Sequence, residues 1–235
     1  MPPIQKSVLH AFGVTDKGSV RPANQDCFAI QQELGLIVVA DGMGGAQAGD
    51  LAARIAVDAI VEYFAHPSDG WPFGFDPALS PDGNRLRTAI LIASVQILET
   101  AITTDRCAGM GTTVVAARVA EGRLIVAHVG DSRLYWLSGG SLRQLTTDDA
   151  WMGALTNVVG ARGGTTVHVA EQPIEAGDAL LLTTDGVHEV LDERRMTQLM
   201  MRAHAPRTTA EHIVATALAR GTRDNCTAVV AHYHQ

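Results

Sequence analysis

Residues 34–45 read Leu-Gly-Leu-Ile-Val-Val-Ala-Asp-Gly-Met-Gly-Gly. The run from Leu34 to Ala40 is almost continuously apolar and has the length of one strand. Strands exposed on one face alternate apolar and polar side chains, whereas an unbroken apolar run belongs to a strand covered on both faces. The run stops at Asp41, beside Gly42, Gly44 and Gly45. A carboxylate thus stands where a buried strand opens into backbone with few side chains, which a ligand can approach closely. The arrangement recurs at residues 179–186, where Ala-Leu-Leu-Leu-Thr-Thr leads to Asp185-Gly186.

Outward from these two anchors, residues 8–14 and 27–30 read as short strands. Small and apolar residues at Ala52, Ile55, Ala56, Ala59, Ile60 and Tyr63 give residues 50–64 one helical face. Residues 66–79 hold Pro67, Gly70, Pro72, Gly74 and Pro77 and read as a loop. Ser80 then fits an N-cap with Pro81 at the first helical position. The helix it opens carries Leu86, Ile90, Ala93 and Ile97 on one stripe. Residues 112–119, 123–129 and 133–137 are β-rich, and Glu121-Gly122 and Gly130-Asp131-Ser132 separate them as turns. An irregular stretch at 146–164 precedes strands at 165–170 and 179–183. Helices follow at 192–203 and from Thr208, where Glu211 three residues on suggests a capping box. A strand at 225–233 closes the chain. Helices grouped between runs of strands predict an α+β fold with two mainly antiparallel sheets, each covered outside by a helix pair. No linker divides the chain, so residues 1–235 form one expected domain.

Composition narrows the function. Of 235 residues, 46% are hydrophobic and 18% charged, enough apolar material for a proper core. A net charge of −7 argues against nucleic-acid binding, which needs Lys and Arg to displace phosphate counterions. The three cysteines, Cys27, Cys107 and Cys226, form no Cys-x-x-Cys pair, so a cytoplasmic location is expected. Residues 1–6 carry no apolar segment of a secretory signal, and the longest apolar stretch, 89–98, is half of a membrane span. A monomer without membrane contact is the expectation.

Two further aspartates sit at strand ends, Asp131 in Gly-Asp-Ser-Arg and Asp224 in Arg-Asp-Asn. Any one of them alone reads as a turn. Together they suit hard divalent cations such as Mg²⁺ and Mn²⁺, which take oxygen ligands. Carboxylates ~4 Å apart repel by roughly 1 to 4 kcal/mol per pair, and cations reverse that sign. A dinucleotide loop at Gly42-x-Gly44 is disfavoured, because Gln47 takes the third glycine position and Asp41 has the wrong charge for a pyrophosphate. In residues 16–26, Arg21 offers a planar fork matching a phosphate dianion, and Asp26 could hold a water near the cations.

Six motifs in this order, Arg-x-x-Asn-Gln-Asp (21–26), Ala-Asp-Gly-Met-Gly-Gly (40–45), Gly-Met-Gly-Thr-Thr (109–113), His-Val-Gly-Asp-Ser-Arg (128–133), Thr-Asp-Gly (184–186) and Arg-Asp-Asn-Cys-Thr (223–227), resemble the bacterial branch of the metal-dependent serine/threonine protein phosphatases, the protein phosphatase 2C family. The resemblance implies a four-layer α-β-β-α sandwich with two Mn²⁺ or Mg²⁺ ions at one end. It implies that Asp41 bridges both ions, Gly42 gives its carbonyl to the second, and Asp185 and Asp224 hold the first. Asp131 would serve a weaker third ion, Arg21 would bind the substrate phosphate, and Asp26 would orient the attacking water. The implied activity is hydrolysis of phosphoserine and phosphothreonine in proteins, reversing a Ser/Thr kinase. The alternative is a phosphoprotein-binding module of the same fold without turnover.

The chain departs from the family at three places. Gln25 stands where many members have Glu, and Met43 replaces a histidine proposed as an acid in animal members. The flap region, 146–164, is short, which motivates the non-catalytic alternative; Asp148 and Asp149 near its start receive no role. Among the nine histidines, His128 reads as packed, His188 as a remote catalytic candidate, and His232 with His234 as a surface pair.

Overall fold

A computed structural model describes residues 8–44, 48–66, 70–202 and 205–234. The readings at residues 1–6, Gly45, Gln47, Pro67 and the helix end at Ala203 lie outside them.

In chain order the elements are β1 (Val8–Asp16), β2 (Asp26–Gln31), β3 (Leu36–Met43), α1 (Gly49–Ala65), α2 (Pro81–Thr103), β4 (Gly111–Thr112), β5 (Val114–Ala120), β6 (Arg123–Val129), β7 (Arg133–Ser138), β8 (Ser141–Gln144), β9 (Ala150–Trp151), β10 (Ala154–Leu155), β11 (His168–Pro173), β12 (Ala179–Thr183), α3 (Asp185–His188), α4 (Glu193–Arg202), α5 (Pro206–Ala219) and β13 (Cys226–His234). One sheet runs β1-β13-β12-β7-β8 and the other β11-β6-β5-β3-β2, with β4 joined to β3. Every described strand pairing is antiparallel.

Three apolar layers account for the unbroken runs. Ile37 and Val39 of β3 face a layer shared with Val115 and Ala117 of β5, Leu180 and Leu182 of β12, and Val229 and Ala231 of β13. That layer lies between the two sheets. Leu36, Val38 and Ala40 point the other way, onto Ala52, Ala56 and Ile60 of α1 and Leu86, Ile90 and Ile97 of α2. On the opposite side, Leu181, Ala228 and Val230 meet Met196 and Leu199 of α4 and Ile213 and Ala217 of α5. Successive strand side chains point to opposite faces, so a central strand with two covered faces is apolar at every position. The four-layer α-β-β-α sandwich follows.

Several local readings change. The last long helix starts at Pro206, not at Thr208, and Thr208 caps nothing there. Proline's fixed φ suits the first helical position and sets the start two residues earlier. Glu211 instead reaches Arg207, 3.8 Å away on the exposed helix face. The strand expected at 165–170 begins at His168, because Thr165 Oγ1 donates to Val158 O at 2.9 Å and holds its segment in a loop. Residues 146–164 are not wholly irregular: β9 and β10 form a small hairpin around Met152 (φ 51°) and Gly153 (φ 77°). The 23-residue α2 is long and apolar enough by composition to cross a membrane, with hydropathy 1.4 over 18 residues, against the expectation of no such segment. Its Leu86, Ala89, Ile90, Ala93 and Ile97 stripe is spent on the sheet beneath it.

Ser80 does cap α2, its Oγ accepting from Gly83 N at 3.0 Å. Ser80→Ala should lower stability by about 1 kcal/mol in urea unfolding. Thr208→Ala, on the exposed first turn of α5, should stay within about 0.5 kcal/mol.

Candidate metal and phosphate site

Both sheets deliver carboxylates to one end of their seam. Asp26 opens β2 and Asp41 lies near the end of β3, and the two are directly opposite in register. Asp185 follows β12 at the start of α3, and Asp224 precedes β13 by two residues. Asp131 sits in the turn where the chain crosses from β6 in one sheet to β7 in the other. Asp41, Asp131, Asp185, Asp224, Gly42 and Arg21 line one pocket of about 510 Å³. Asp26, opposite Asp41 in the strand pairing, lies beside this pocket and does not line it.

Hydroxyls and one amide hold this arrangement. Asp26 Oδ2 accepts from Thr227 Oγ1 at 2.6 Å and Thr184 Oγ1 at 2.9 Å. Thr112 Oγ1 donates to Asp41 O at 2.8 Å, and Asp41 N donates to Thr113 Oγ1 at 3.2 Å. Asn225 accepts from Gln25 N at 2.9 Å and donates to Lys17 O and Ala23 O at 2.8 and 2.9 Å. It thereby pins the loop that carries Arg21. Thr184, Thr227 and Asn225 stand inside the sequence motifs, but nothing in their spacing announces these roles. Two glycines are demanded by close approach. A Cβ on Gly42 would meet Gly49 O at 1.9 Å, and one on Gly186 would meet Asn225 O at 2.0 Å.

Like charges dominate the electrostatics. Burial, then Asp26, Asp185 and Asp224, hold the Asp41 carboxyl well above the usual carboxylate range. Burial, Asp224 and Asp131 push Asp185 up to about 7. Burial raises Asp26 to about 6 against the opposing hydroxyl bonds from Thr227 and Thr184. Asp131 is raised by burial and by Asp148. Asp26 Oδ1 and Asp185 Oδ1 are buried without a protein hydrogen-bond partner. Orphaned anionic oxygens in a pocket of carboxylates are the donor set that hard divalent cations take. The residues therefore fit such ions.

Arg21 is paired directly with Asp224, and that contact raises its pKa. The expected phosphate binder and one expected metal ligand thus hold each other. Among the described residues, the one trio of His, Cys, Asp or Glu with ligand atoms all within 4.8 Å is His128, Asp149 and His168. Asp41, Asp185 and Asp224 thus share a pocket without all their oxygens closing to within 4.8 Å of one another. Gln25 and Met43 also line the pocket, Met43 at its exposed rim. His188 bonds Thr183 Oγ1 through Nδ1 at 2.9 Å and is pushed down to about 3 by burial, a packing role. Cys27 is only half-buried, unlike Cys107 and Cys226.

The short flap is reduced to the β9–β10 hairpin, whose Gly153, Ala154 and Leu155 form one wall of the pocket. Arg133 clamps its root: Nη2 donates to Asp148 Oδ2 at 2.7 Å and Nε to Asp148 Oδ1 at 3.0 Å.

A sequence profile described as Protein phosphatase 2C matches residues 19–220. The chain is 30% identical to a serine/threonine phosphatase, stp, of Listeria welshimeri over 94% of its own length and 95% of that protein. It is 29% identical to the serine/threonine protein phosphatase PstP of Mycobacterium tuberculosis over 95% of its length and 45% of PstP. A crystal structure of the catalytic domain of a PstP phosphatase in complex with two manganese ions superposes with a TM-score of 0.86 at 25% identity, covering 97% of this chain and all of that one.

Because Asp26, Asp41 and Asp185 bind protons more tightly folded than unfolded, their contribution to the stability of the metal-free protein is fully present below about pH 4. That contribution is lost as pH rises through 6 to 7. Melting in EDTA should fall by roughly 2–4 °C per kcal/mol lost between pH 5 and 7.5. Asp41→Asn should raise the metal-free melting temperature at pH 7.5, and Mn²⁺ should stabilise only the native sequence strongly.

Proposed function

The chain belongs to the protein phosphatase 2C family, and we propose that Asp41, Gly42, Asp185 and Asp224 hold the two Mn²⁺ or Mg²⁺ ions of its active centre. In the same reading Asp131 serves a weaker third ion and Arg21 takes the substrate phosphate. The protein is a metal-dependent serine/threonine phosphatase that acts on phosphoproteins. One observation carries the residue assignment: aspartates from both sheets meet Arg21 in one pocket, where buried oxygens of Asp185 and neighbouring Asp26 lack partners.

When bound, the ions lower the pKa of water, neutralise the developing phosphoryl charge and orient the ester. The residues do the rest. Arg21 presents a fork of N–H donors to the phosphoryl oxygens, at the cost of its bond to Asp224. A cation held by Asp224 would compete for the carboxylate that now pairs Arg21, and the freed guanidinium would be available to the substrate phosphate. Asp26, held at Oδ2 by Thr184 and Thr227, leaves Oδ1 to position the attacking water and accept its proton. Gln25 and Met43 supply no acid, so departure of the serine or threonine oxygen depends on charge stabilisation and solvent.

The phosphoprotein-binding alternative rested on the short flap. The β9–β10 hairpin walls the pocket and every core carboxylate is present, so no observation favours that reading over catalysis. The substrates we infer are a Ser/Thr kinase or its targets, met by a monomer in the cytoplasm without membrane contact; the burial of the α2 stripe in the core supports the last of these.

With Mn²⁺ the protein should hydrolyse a phosphothreonine peptide, and EDTA should abolish turnover. Asp41→Ala and Asp185→Ala should each lose activity by roughly 10²- to 10³-fold or more, the scale of losing one transition-state charge stabiliser. Arg21→Ala should lower kcat/KM by roughly 10- to 100-fold, matching a charge-assisted hydrogen bond. Activity surviving EDTA or Asp41→Ala would refute the assignment.

A further inference from the structure

A second, nitrogen-rich cluster stands at the root of the hairpin, apart from the aspartate pocket. Antiparallel pairing of β6 and β11 sets His128 directly opposite His168. Their rings lie 4.9 Å apart between centroids, inclined by 26°. Asp149, immediately before β9, places Oδ1 at 2.9 Å from His168 Nε2. One ligand atom from each of the three lies within 4.8 Å of the others.

We propose that His128, Asp149 and His168 bind a Zn²⁺-class transition cation that braces the hairpin walling the active pocket. Two imidazoles and one carboxylate form a borderline-soft donor set, which suits Zn²⁺ and disfavours the Mg²⁺ taken by all-oxygen sites. His128 has the outer partner that metal-binding histidines use: Nε2 donates to Thr147 O at 2.9 Å, which leaves Nδ1 with its lone pair. Burial keeps the His128 imidazole neutral at physiological pH, the form that ligates. Asp149 is likewise oriented, its Oδ2 accepting from Gly130 N at 3.0 Å and Asn157 Nδ2 at 2.8 Å while Oδ1 faces His168. The backbone adds Asp149 N to Gly130 O at 3.0 Å and Thr156 N to Asp149 O at 2.8 Å. Gly130 precedes Asp131 of the pocket, and Gly153 to Leu155 of the hairpin wall it. A cation here ties both ends of the hairpin to β6 and β11 and stiffens that wall.

The test uses the full chain with Mg²⁺ in excess to fill the carboxylate pocket, titrated with Co²⁺ as the spectroscopic probe. One equivalent should give the intense visible absorption of four-coordinate cobalt, and Zn²⁺ should displace it. His168→Ala removes a half-exposed side chain and should weaken Co²⁺ and Zn²⁺ by at least roughly tenfold. The same variant should keep its Mg²⁺-dependent phosphatase activity, which also reports that it folds. His168→Gln should behave alike, whereas Asp41→Asn should retain the cobalt band. No four-coordinate band in the native protein, or a band undiminished in both His168 variants, would overturn the proposal and leave the trio as a hydrogen-bonded brace.

Discussion

Several carboxylates that repel one another are held at one seam, and the rest of the fold is organised around keeping them there. Burial disfavours the ionised forms of Asp26, Asp41, Asp131 and Asp185, and neighbouring carboxylates add to the cost. The chain answers with geometry instead of countercharge. Two strands in register face Asp26 to Asp41, two others stop at Asp185 and Asp224, and one turn between sheets carries Asp131. Three tightly packed apolar layers keep those strand ends from drifting apart. Arg21 is the one cation paired with the group among the described residues, and it stands on a loop that Asn225 fixes. The site is therefore a tensioned arrangement whose relief is the binding of divalent ions.

The layer plan was legible because its signal is physical and local. Residues 34–40 and 179–182 lack alternation, and a strand with two covered faces has no other way to be written. Ser80-Pro81 announced α2 because a capping hydroxyl and a fixed φ act within one turn. The start of α5 obeys the same rule in reverse. Thr208 and Glu211 have the spacing of a box, but Pro206 occupies the first position upstream and takes the decision. The β9–β10 hairpin was missed because two-residue strands carry no period; only Met152-Gly153 with two positive φ angles marks it.

Within the site, the aspartates could be named from sequence because each ends a recognisable strand. Their supports could not. Thr184, Thr227 and Asn225 act across separations of 158, 201 and 200 residues, on Asp26 and on the Gln25 backbone. Such contacts depend on which strands become neighbours, which composition and spacing do not encode. The pairing of Arg21 with Asp224 was hidden for a further reason: each was assigned to a different ligand, and their attraction shows only when both reach one pocket. His128 and His168 become partners through strand register alone.

Strand β13, which runs to His234, is interior to its sheet, gripped by β1 over nine paired residues and by β12 over five. The ribosome makes it after both of those partners, so a nascent chain carries two open strand edges until β13 emerges. Until then those bare edges are what a chaperone would have to shield.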